Sequence, residues 1–240
     1  MANDHFRFKQ FTIYHDRCAM KVGTDGVLLG AWCDVDGAQT VLDVGTGSGL
    51  IAIMIAQRNH NCVVDAVEID RPSFLQASEN AAGCRWSERI NMHHISFNDF
   101  YKKHSNSYDL IVSNPPWFQN SLTNPDPVRS RARHSHSLSM EDLIAGVKKL
   151  LAPSGRYCMI MPVTEAKIFI EKSTAGGLYC RAITSVHPNP GKPAKRYLLE
   201  FRKEPGQIKR ASLILELEKR HEYSDQFKNL TGDFYLSFRY

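Results

Sequence analysis

The fold is decided by one stretch, Val41-Leu-Asp-Val-Gly-Thr-Gly-Ser-Gly-Leu-Ile-Ala52. Its apolar beginning predicts a buried strand over residues 40–44, and the residues from Leu50 to Arg58 predict an apolar helix. Glycines at 45, 47 and 49 fill the turn, where the missing side chains let a ligand approach the backbone closely. Because the helix start also offers unpaired N–H groups, the stretch predicts a cofactor-binding loop.

Strand and helix patterns continue to alternate after this loop. Strands are predicted over 63–68, 90–95, 108–113 and 155–161, and helices over 72–82 and 165–174. Ser139, with Asp142 three residues later, has the spacing of a helix start. Strands at 183–186 and 197–201 have no helix between them, and a strand over 212–217 is left open. The pattern predicts an α/β fold with a doubly wound, mostly parallel seven-stranded sheet and one reversed edge strand.

The composition is that of a globular, modestly basic protein. The 240 residues hold 30 Lys and Arg against 25 Asp and Glu, and 42% hydrophobic residues argue against wholesale disorder. The longest apolar stretch, 49–56, is far shorter than the roughly 20 residues of a membrane span. Six scattered cysteines without a Cys-x-x-Cys pair argue against a zinc ribbon or a disulfide framework. We therefore expect a cytoplasmic protein with no metal, no membrane contact and no obligate protein partner.

The glycine loop departs from the dinucleotide-binding pattern Gly-x-Gly-x-x-Gly. Its third glycine comes one residue early, and Leu50 stands in the expected place. Asp43, two residues before the first glycine, would repel a pyrophosphate and attract an ammonium or sulfonium group. S-adenosyl-L-methionine carries both of these cations and no phosphate. The residues therefore predict an S-adenosyl-L-methionine site that includes Asp43, Gly45, Gly47 and Gly49.

Further acidic residues follow the next two predicted strands. Glu68 ends the second strand, where it is placed to accept hydrogen bonds from the ribose hydroxyls of the cofactor. Asp70 is the nearby alternative, although a turn and a helix start explain this residue better. Asp99, just after the third strand, is a candidate to meet the adenine amino group of the cofactor.

A second motif, Ser113-Asn-Pro-Pro-Trp-Phe118, directly follows the fourth predicted strand. Pro115 and Pro116 end the strand and stiffen a turn that presents the Asn114 side chain and the Pro115 carbonyl outward. These two acceptors suit the two N–H groups of a planar amino group such as adenine N6, whose lone pair is delocalised into the ring. Holding both groups draws the nitrogen toward tetrahedral geometry. Trp117 is expected to stack on the base, with core packing as its alternative role.

Basic residues cluster in two segments outside these motifs. Three arginines lie shortly after the second motif, and three further cations lie between predicted strands near the C-terminus: Arg129, Arg131 and Arg133, then Lys192, Lys195 and Arg196. Both clusters are candidates to contact RNA phosphates. The alternatives are a solvated loop for the first cluster and pairing of Arg196 with Glu200 in the second.

Two motifs together resemble those of the class I amino-group methyltransferases: the Asp-x-Gly-x-Gly-x-Gly loop at 43–49 and Asn-Pro-Pro-Trp at 114–117. The segment Met20-Lys-Val-Gly-Thr-Asp-Gly-Val-Leu-Leu-Gly-Ala-Trp32 resembles the opening of the bacterial tRNA1(Val) adenine-N6-methyltransferases. Segments 8–13, 192–201 and 230–236 extend the resemblance over nearly the whole chain. It implies a Rossmann-like enzyme that methylates adenine 37, in the anticodon loop of one valine tRNA. One departure is Trp117, where such enzymes usually carry Tyr or Phe; stacking survives this change.

The resemblance also implies a single methyltransferase domain over 1–240. Residues 1–39 would cover the cofactor, and residues 40–240 would form the Rossmann-like core and the C-terminal strands. This arrangement would bring four N-terminal residues to the cofactor: Lys21, Gly23, Thr24 and Asp25. Asn114 is counted with the cofactor-binding residues as well as with the catalytic ones.

Three alternatives stay open at this stage. A protein glutamine-N5 methyltransferase shares Asn-Pro-Pro-aromatic, but such enzymes typically carry an added N-terminal helical domain, for which about 40 residues are too few. A nicotinamide-dependent oxidoreductase is disfavoured by Leu50 and by the second motif. A non-catalytic RNA-binding module would not require Asp43 or Glu68.

The first arginine cluster leads to a test. Replacing Arg129, Arg131 and Arg133 together with alanine is expected to weaken tRNA binding and to flatten its dependence on salt, because fewer counterions are released. Affinity for the cofactor should stay unchanged, which serves as the control. A salt slope equal to that of the wild type would contradict the assignment.

Overall fold

The computed structural model describes residues 3–105, 107–115 and 138–238. Five residues singled out above lie outside these ranges: Pro116, Trp117, Arg129, Arg131 and Arg133. The longest described helix has 13 residues, well short of the roughly 20 that a membrane span requires, and no described helix qualifies as such a span.

The described residues form ten strands and seven α-helices. The strands are β1 His5–Arg7, β2 Thr12–Tyr14, β3 Thr40–Val44, β4 Val63–Glu68, β5 Ile90–His94, β6 Tyr108–Ser113, β7 Leu151–Pro162, β8 Tyr179–His187, β9 Arg196–Arg202 and β10 Lys209–Ile214. The helices are α1 Thr24–Trp32, α2 Leu50–Arg58, α3 Arg71–Ala82, α4 Phe97–Lys103, α5 Met140–Leu150, α6 Val163–Ala175 and α7 Asp225–Thr231. A short 3-10 turn, Ser87–Arg89, precedes β5.

The main sheet confirms the α/β, mostly parallel architecture. Its eight strands follow the order β10-β8-β9-β7-β6-β3-β4-β5, and every neighbouring pair is parallel except the two pairs that involve β9. Large apolar clusters fill both faces of the sheet. One contains α1 and α2, and the other contains α4, α5 and α6.

Two details of the expected sheet are corrected. The sheet has eight strands instead of seven, because the segment left open near residue 212 forms β10 at the edge, parallel to β8. The reversed strand is not at the edge: β9 lies between β7 and β8 and is antiparallel to both. A short loop from β8 lets the chain turn back as a hairpin, while the α6 crossover leaves room for one strand between β7 and β8.

The N-terminal residues pack onto the core in two pieces. Strands β1 and β2 form a hairpin that lies against α3, and α1 packs on α2, where a Cβ built on Gly30 would fall 2.8 Å from the sulfur of Met54. Asn80 of α3 connects three segments. Its amide exchanges hydrogen bonds with the Tyr14 backbone at 2.8 and 3.0 Å and donates to the Ser48 carbonyl at 2.8 Å. This one side chain therefore joins the hairpin to the glycine loop.

Removing the Asn80 amide should loosen both connections. We expect Asn80→Ala to lower the free energy of unfolding by about 1–3 kcal/mol, because buried backbone groups lose their partners. Urea denaturation measures the change. Asn91→Ala is the matched control, since Asn91 is exposed and makes one hydrogen bond, to Asp65. Equal effects of the two substitutions would contradict the role of Asn80.

Candidate functional site

The strand registers bring the glycine loop, Glu68 and Asn114 to one edge of the sheet. Val44, the last residue of β3, lies opposite Val67 of β4 on one side and Ser113 of β6 on the other. The following residues therefore emerge side by side at the carboxyl ends of three adjacent parallel strands. The chain leaves β3 toward β4 and later returns to β6 on its other side, which is where open α/β sheets bind ligands.

The three loop glycines differ in their roles. All three have positive φ, at 71° for Gly45, 58° for Gly47 and 82° for Gly49, so an L side chain at any of them would be strained. A Cβ at Gly45 or Gly47 would meet nothing within 4 Å, whereas one at Gly49 would lie 3.5 Å from Ala77 of α3. Gly45 and Gly47 therefore leave open space above the loop, and Gly49 seats the loop against α3.

The carboxylate of Glu68 is held by backbone groups on both sides. Its Oε2 accepts from the Gly47 N–H and its Oε1 from the Asp70 N–H, both at 2.9 Å. The side chain is 8% exposed, so it lies at the floor of the edge instead of pointing into solvent. A carboxylate oriented in this way keeps lone pairs for hydroxyl donors arriving from the open space.

Asp43 lies beneath the loop, not at its surface. The residue is fully buried, and its Oδ2 accepts from the Thr46 hydroxyl at 2.6 Å and from the Ala52 N–H at 3.2 Å. Its Oδ1 has no hydrogen-bond partner among the described residues. The carboxylate that the sequence places beside the cleft therefore lies beneath the loop. Asp43 organises the loop and the start of α2, and burial raises the pKa of its carboxyl to about 7.

Asn114 stands at the end of β6 with its amide available. The side chain is half-buried, Pro115 is buried, and the amide makes no hydrogen bond within the described part of the chain. Directly before it, the Ser113 hydroxyl and the Tyr157 hydroxyl are 2.6 Å apart in the core. A Cβ built on Gly26 of α1 would lie 3.9 Å from Asn114 Nδ2, so the first turn of α1 borders this amide.

The N-terminal segment before α1 approaches the same edge. Burial raises the pKa of the Cys18 thiol, the nearby carboxylates of Glu68 and Asp70 add to the effect, and a hydrogen bond with Ser73 opposes it. The preceding residue, Arg17, donates from its backbone N–H and from its Nε to Gln76 Oε1 at 3.3 and 3.2 Å, so this segment lies against α3. Lys21 is exposed, with its ammonium 3.2 Å from the Asn3 carbonyl oxygen.

Two residues predicted for different ligands are paired with each other. Arg196 Nε donates to Asp25 Oδ2 at 2.8 Å, which ties the start of β9 to the first turn of α1. The alternative partner considered above, Glu200, pairs with Arg202 instead, also at 2.8 Å. Gly23 and Thr24, beside Asp25, are exposed.

The remaining candidates are at helix starts and on a loop. Asp70 is the N-cap of α3 and accepts from the Ser73 N–H at 3.0 Å, which confirms its interpretation as a helix start. Asp99 is exposed in the first turn of α4, where it accepts from the Ser96 hydroxyl at 2.7 Å. Lys192 and Lys195 are exposed on the loop between β8 and β9. The described residues contain no cluster of three or more His, Cys, Asp or Glu placed to hold a metal ion.

Comparison with known proteins decides the family. The model of the methyltransferase small domain matches residues 22–168. The chain is 46% identical to the tRNA1(Val) (adenine(37)-N6)-methyltransferase of Trichodesmium erythraeum, over 99% of this chain and 100% of that protein. It is 45% identical to the enzyme of the same name from Parabacteroides distasonis, over 98% and 99%. This chain belongs to the tRNA1(Val) (adenine(37)-N6)-methyltransferase family. The resemblance noted from its motifs is thereby confirmed.

Solved structures agree with this family at the level of the fold. A "predicted O-methyltransferase" from Agrobacterium tumefaciens superposes with a TM-score of 0.65 over 88% of this chain and 96% of its own, at 19% identity. A ribosomal protein L11 methylase from Lactobacillus delbrueckii gives 0.53 over 75% and 77%, at 20% identity. The Rossmann-like methyltransferase fold of this family member is therefore shown, and the class I fold implies S-adenosyl-L-methionine as the methyl donor.

Sequence patterns missed several residues that build the site. The Thr46 hydroxyl donates to the buried Asp43 carboxylate inside the loop, and Asn80 connects the loop to the hairpin. Helix α4 was not expected, although Ser96 followed by Asp99 has the spacing of a helix start that was recognised at Ser139. The signal for α4 was therefore present in the sequence, whereas the contacts of Asn80 join positions more than 30 residues apart.

The raised pKa of Asp43 leads to a test on the ligand-free protein. Between pH 4 and pH 7 the native state holds a proton that the unfolded chain has lost, so its free energy of unfolding falls as the pH rises. Asp43→Asn removes this dependence. The free energy of unfolding of the wild type minus that of the variant should therefore decrease by at most about 4 kcal/mol as the pH rises from 4 to 7. Denaturation at a series of pH values measures the difference.

Asp109→Asn provides the control. Burial of Asp109 acts to raise its pKa, but hydrogen bonds from the Gln39 and Thr40 N–H groups and from the Thr40 hydroxyl outweigh burial and leave the pKa below its usual value. Its contribution to stability is lost only as the pH falls toward that value, so the difference should be flat above about pH 5. A flat difference for Asp43→Asn as well would show that Asp43 is charged in the native loop.

Proposed function

We propose that this protein transfers the methyl group of S-adenosyl-L-methionine to N6 of adenine 37 in tRNA1(Val). The observation that carries the proposal is the juxtaposition of the open loop at Gly45 and Gly47 with the available amide of Asn114. One half of the edge suits a cofactor, and the other half suits a planar amino group. The names of relatives similar over nearly their full length support adenine 37 as the target.

The cofactor fits the residues present. The open space above Gly45 and Gly47 accommodates a ligand against the backbone, and the fixed carboxylate of Glu68 accepts from ribose hydroxyls. Bound there, S-adenosyl-L-methionine supplies an electrophilic methyl group on a positively charged sulfur. Asp43 contributes from below by holding Thr46 and the start of α2 in place. Exposed Asp99 remains a candidate for the adenine of the cofactor.

Asn114 and Pro115 orient the target nitrogen. The Asn114 side-chain oxygen and the Pro115 carbonyl accept the two N6 hydrogens, which draws the nitrogen lone pair out of conjugation with the ring. Both acceptors end a strand whose preceding residue is fixed in the core through Ser113 and Tyr157. No strong base is required before methylation, because the methylated nitrogen becomes acidic and its proton leaves for solvent. We also assign Pro116 and Trp117 of the same motif to the catalytic residues, with Trp117 stacking on the adenine.

The N-terminal residues cover this site in the proposal. Residues 1–39 pack over the 40–240 core, and the segment from Lys21 to Asp25 closes the edge above the cofactor. Support comes from Gly26 beside Asn114 and from the hydrogen bonds of Arg17 to Gln76 of α3. The Asp25–Arg196 ion pair holds α1 to β9. We therefore assign Arg196 to positioning α1 beside the RNA instead of contacting an RNA phosphate directly.

RNA phosphates meet the exposed lysines of the loop between β8 and β9. Lys192 and Lys195 lie on the side of the sheet where the carboxyl end of β8 emerges. Arg129, Arg131 and Arg133 add to this contact in the proposal. An anticodon loop offers its bases already unpaired, so presenting adenine 37 costs less than extracting a base from a duplex. A tRNA substrate also fits a cytoplasmic enzyme.

Labelled cofactor and total tRNA test the proposal directly. After incubation with the protein, nucleoside mass spectrometry should find the label in N6-methyladenosine, and mass spectrometry of ribonuclease fragments should locate it at position 37 of a valine tRNA. Label in protein and not in tRNA would replace the proposal with the glutamine methyltransferase alternative. If neither the tRNA nor the protein carries label, the conclusion is that the protein does not methylate these substrates.

The Asn114 amide gives the sharpest variant. Asn114→Ala should lower kcat about 10²–10³-fold, because one acceptor at the reacting nitrogen is lost. Cofactor affinity should fall much less, as measured by titration with S-adenosyl-L-homocysteine. Asn91→Ala, an exposed amide on β5, is the matched control and should leave kcat unchanged. Equal turnover of Asn114→Ala and wild type would contradict the catalytic role.

A further inference from the structure

A cavity of about 430 Å³ lies at the start of α1. Its walls combine the start of α1 with the segments that follow β8 and β10 and with the C-terminal helix. Five aromatic side chains line it, and we refer to them as the aromatic cage: Phe6, Tyr223, Phe227, Tyr235 and Phe238. This volume falls within the range of small-molecule sites.

The cage rings pack against one another without being fully buried. Tyr223 stacks on Phe227 with ring centres 5.0 Å apart, and Phe238 meets Tyr223 edge-on at 5.9 Å. Phe6, Tyr223, Tyr235 and Phe238 are each only partly buried, although Phe227 belongs to the core. Partly exposed rings of this kind present faces on which a flat ring can stack.

The polar groups of the cavity select a neutral ring over a phosphate. Glu216 lies in its wall, and one of its oxygens accepts from the His221 N–H at 3.1 Å. A carboxylate repels a phosphate but accepts hydrogen bonds from the amino group of a base. Gly23 and Thr24, where α1 begins without a side-chain cap, also line the cavity and offer backbone donors.

Cations lie outside the cavity on a shared loop. Pro188 lines the cavity, and the same loop carries the exposed Lys192 and Lys195. The Lys195 N–H donates to Val186 at 2.9 Å, and the Lys192 carbonyl lies 2.8 Å from His187 Nδ1, so the loop is held to the end of β8. A carboxylate inside and cations outside are complementary to a nucleotide whose base enters and whose phosphates stay at the rim.

We propose that the aromatic cage binds a second, unstacked base of the RNA substrate, separate from the adenine that is methylated. The inference rests on the proposed function. Strand β8 is three strands from β6, so the cavity is about 14 Å along the edge from Asn114 at the usual strand spacing. At about 3.4 Å per stacked nucleotide, the captured base lies within roughly four nucleotides of the target. The cage therefore fixes which adenine reaches Asn114.

A thermodynamic cycle with the full chain tests the cage. Binding of tRNA1(Val) transcripts is measured with each anticodon-loop base other than adenine 37 removed in turn. One abasic position should weaken binding to wild type about 5- to 150-fold, the range for loss of one stacked base. Tyr223→Leu should weaken binding to the intact transcript by a similar factor. With the transcript that lacks the captured base, Tyr223→Leu and wild type should bind equally well, because the contact is already lost. Losses that add at every position would overturn the proposal.

Controls separate the cage from the fold and from the proposed function. Tyr14→Leu makes the same substitution on an exposed ring of the hairpin. Any loss of binding that it causes should add to the loss from each abasic position. Thermal unfolding and S-adenosyl-L-homocysteine affinity report whether Tyr223→Leu is folded, and Phe238→Leu repeats the cycle if it is not. If wild type methylates the transcript while the cycle is additive, the cage alone is refuted. If no tRNA is methylated, the proposed function fails first.

Discussion

The carboxylate of Glu68 connects the two sides of the glycine loop, and the rest of the site depends on it. One oxygen holds the Gly47 N–H and the other holds the Asp70 N–H, so the loop after β3 is tied to the end of β4. With that connection made, Gly45 and Gly47 face open space while Gly49 rests on α3. A side-chain carboxylate that accepts from backbone on both sides is fixed before any ligand arrives, which reduces the entropy cost of binding.

The elements predicted correctly are those whose formation depends on residues that are close together in the sequence. The strand at 40–44, the helix at 50–58 and the strand at 63–68 match the structure residue for residue, because each is set by apolar periodicity and glycine positions. The position of the reversed strand was wrong, because it depends on pairing between distant segments. The burial of Asp43 was not predicted, since spacing along the chain cannot show that Thr46 and Ala52 enclose the carboxylate.

Long-range pairing also changed the meaning of individual charges. Arg196 and Asp25 were predicted for two different ligands, yet they form one ion pair across 171 positions of sequence. Through this pair and through Gly26 beside Asn114, helix α1 is connected both to the start of β9 and to the residue that follows β6. The +5 net charge is accordingly less informative than the placement of Lys192 and Lys195 on one exposed loop.

The central claim is that Glu68 turns this loop into a site for the ribose of S-adenosyl-L-methionine. Calorimetric titration of Glu68→Gln with S-adenosyl-L-homocysteine tests it most directly, because the amide keeps the shape of the side chain but loses its charge and one acceptor. Loss of hydrogen bonds to a charged group predicts affinity about 10- to 150-fold weaker than wild type, in a protein that remains folded. Unchanged affinity in the folded variant would contradict the account.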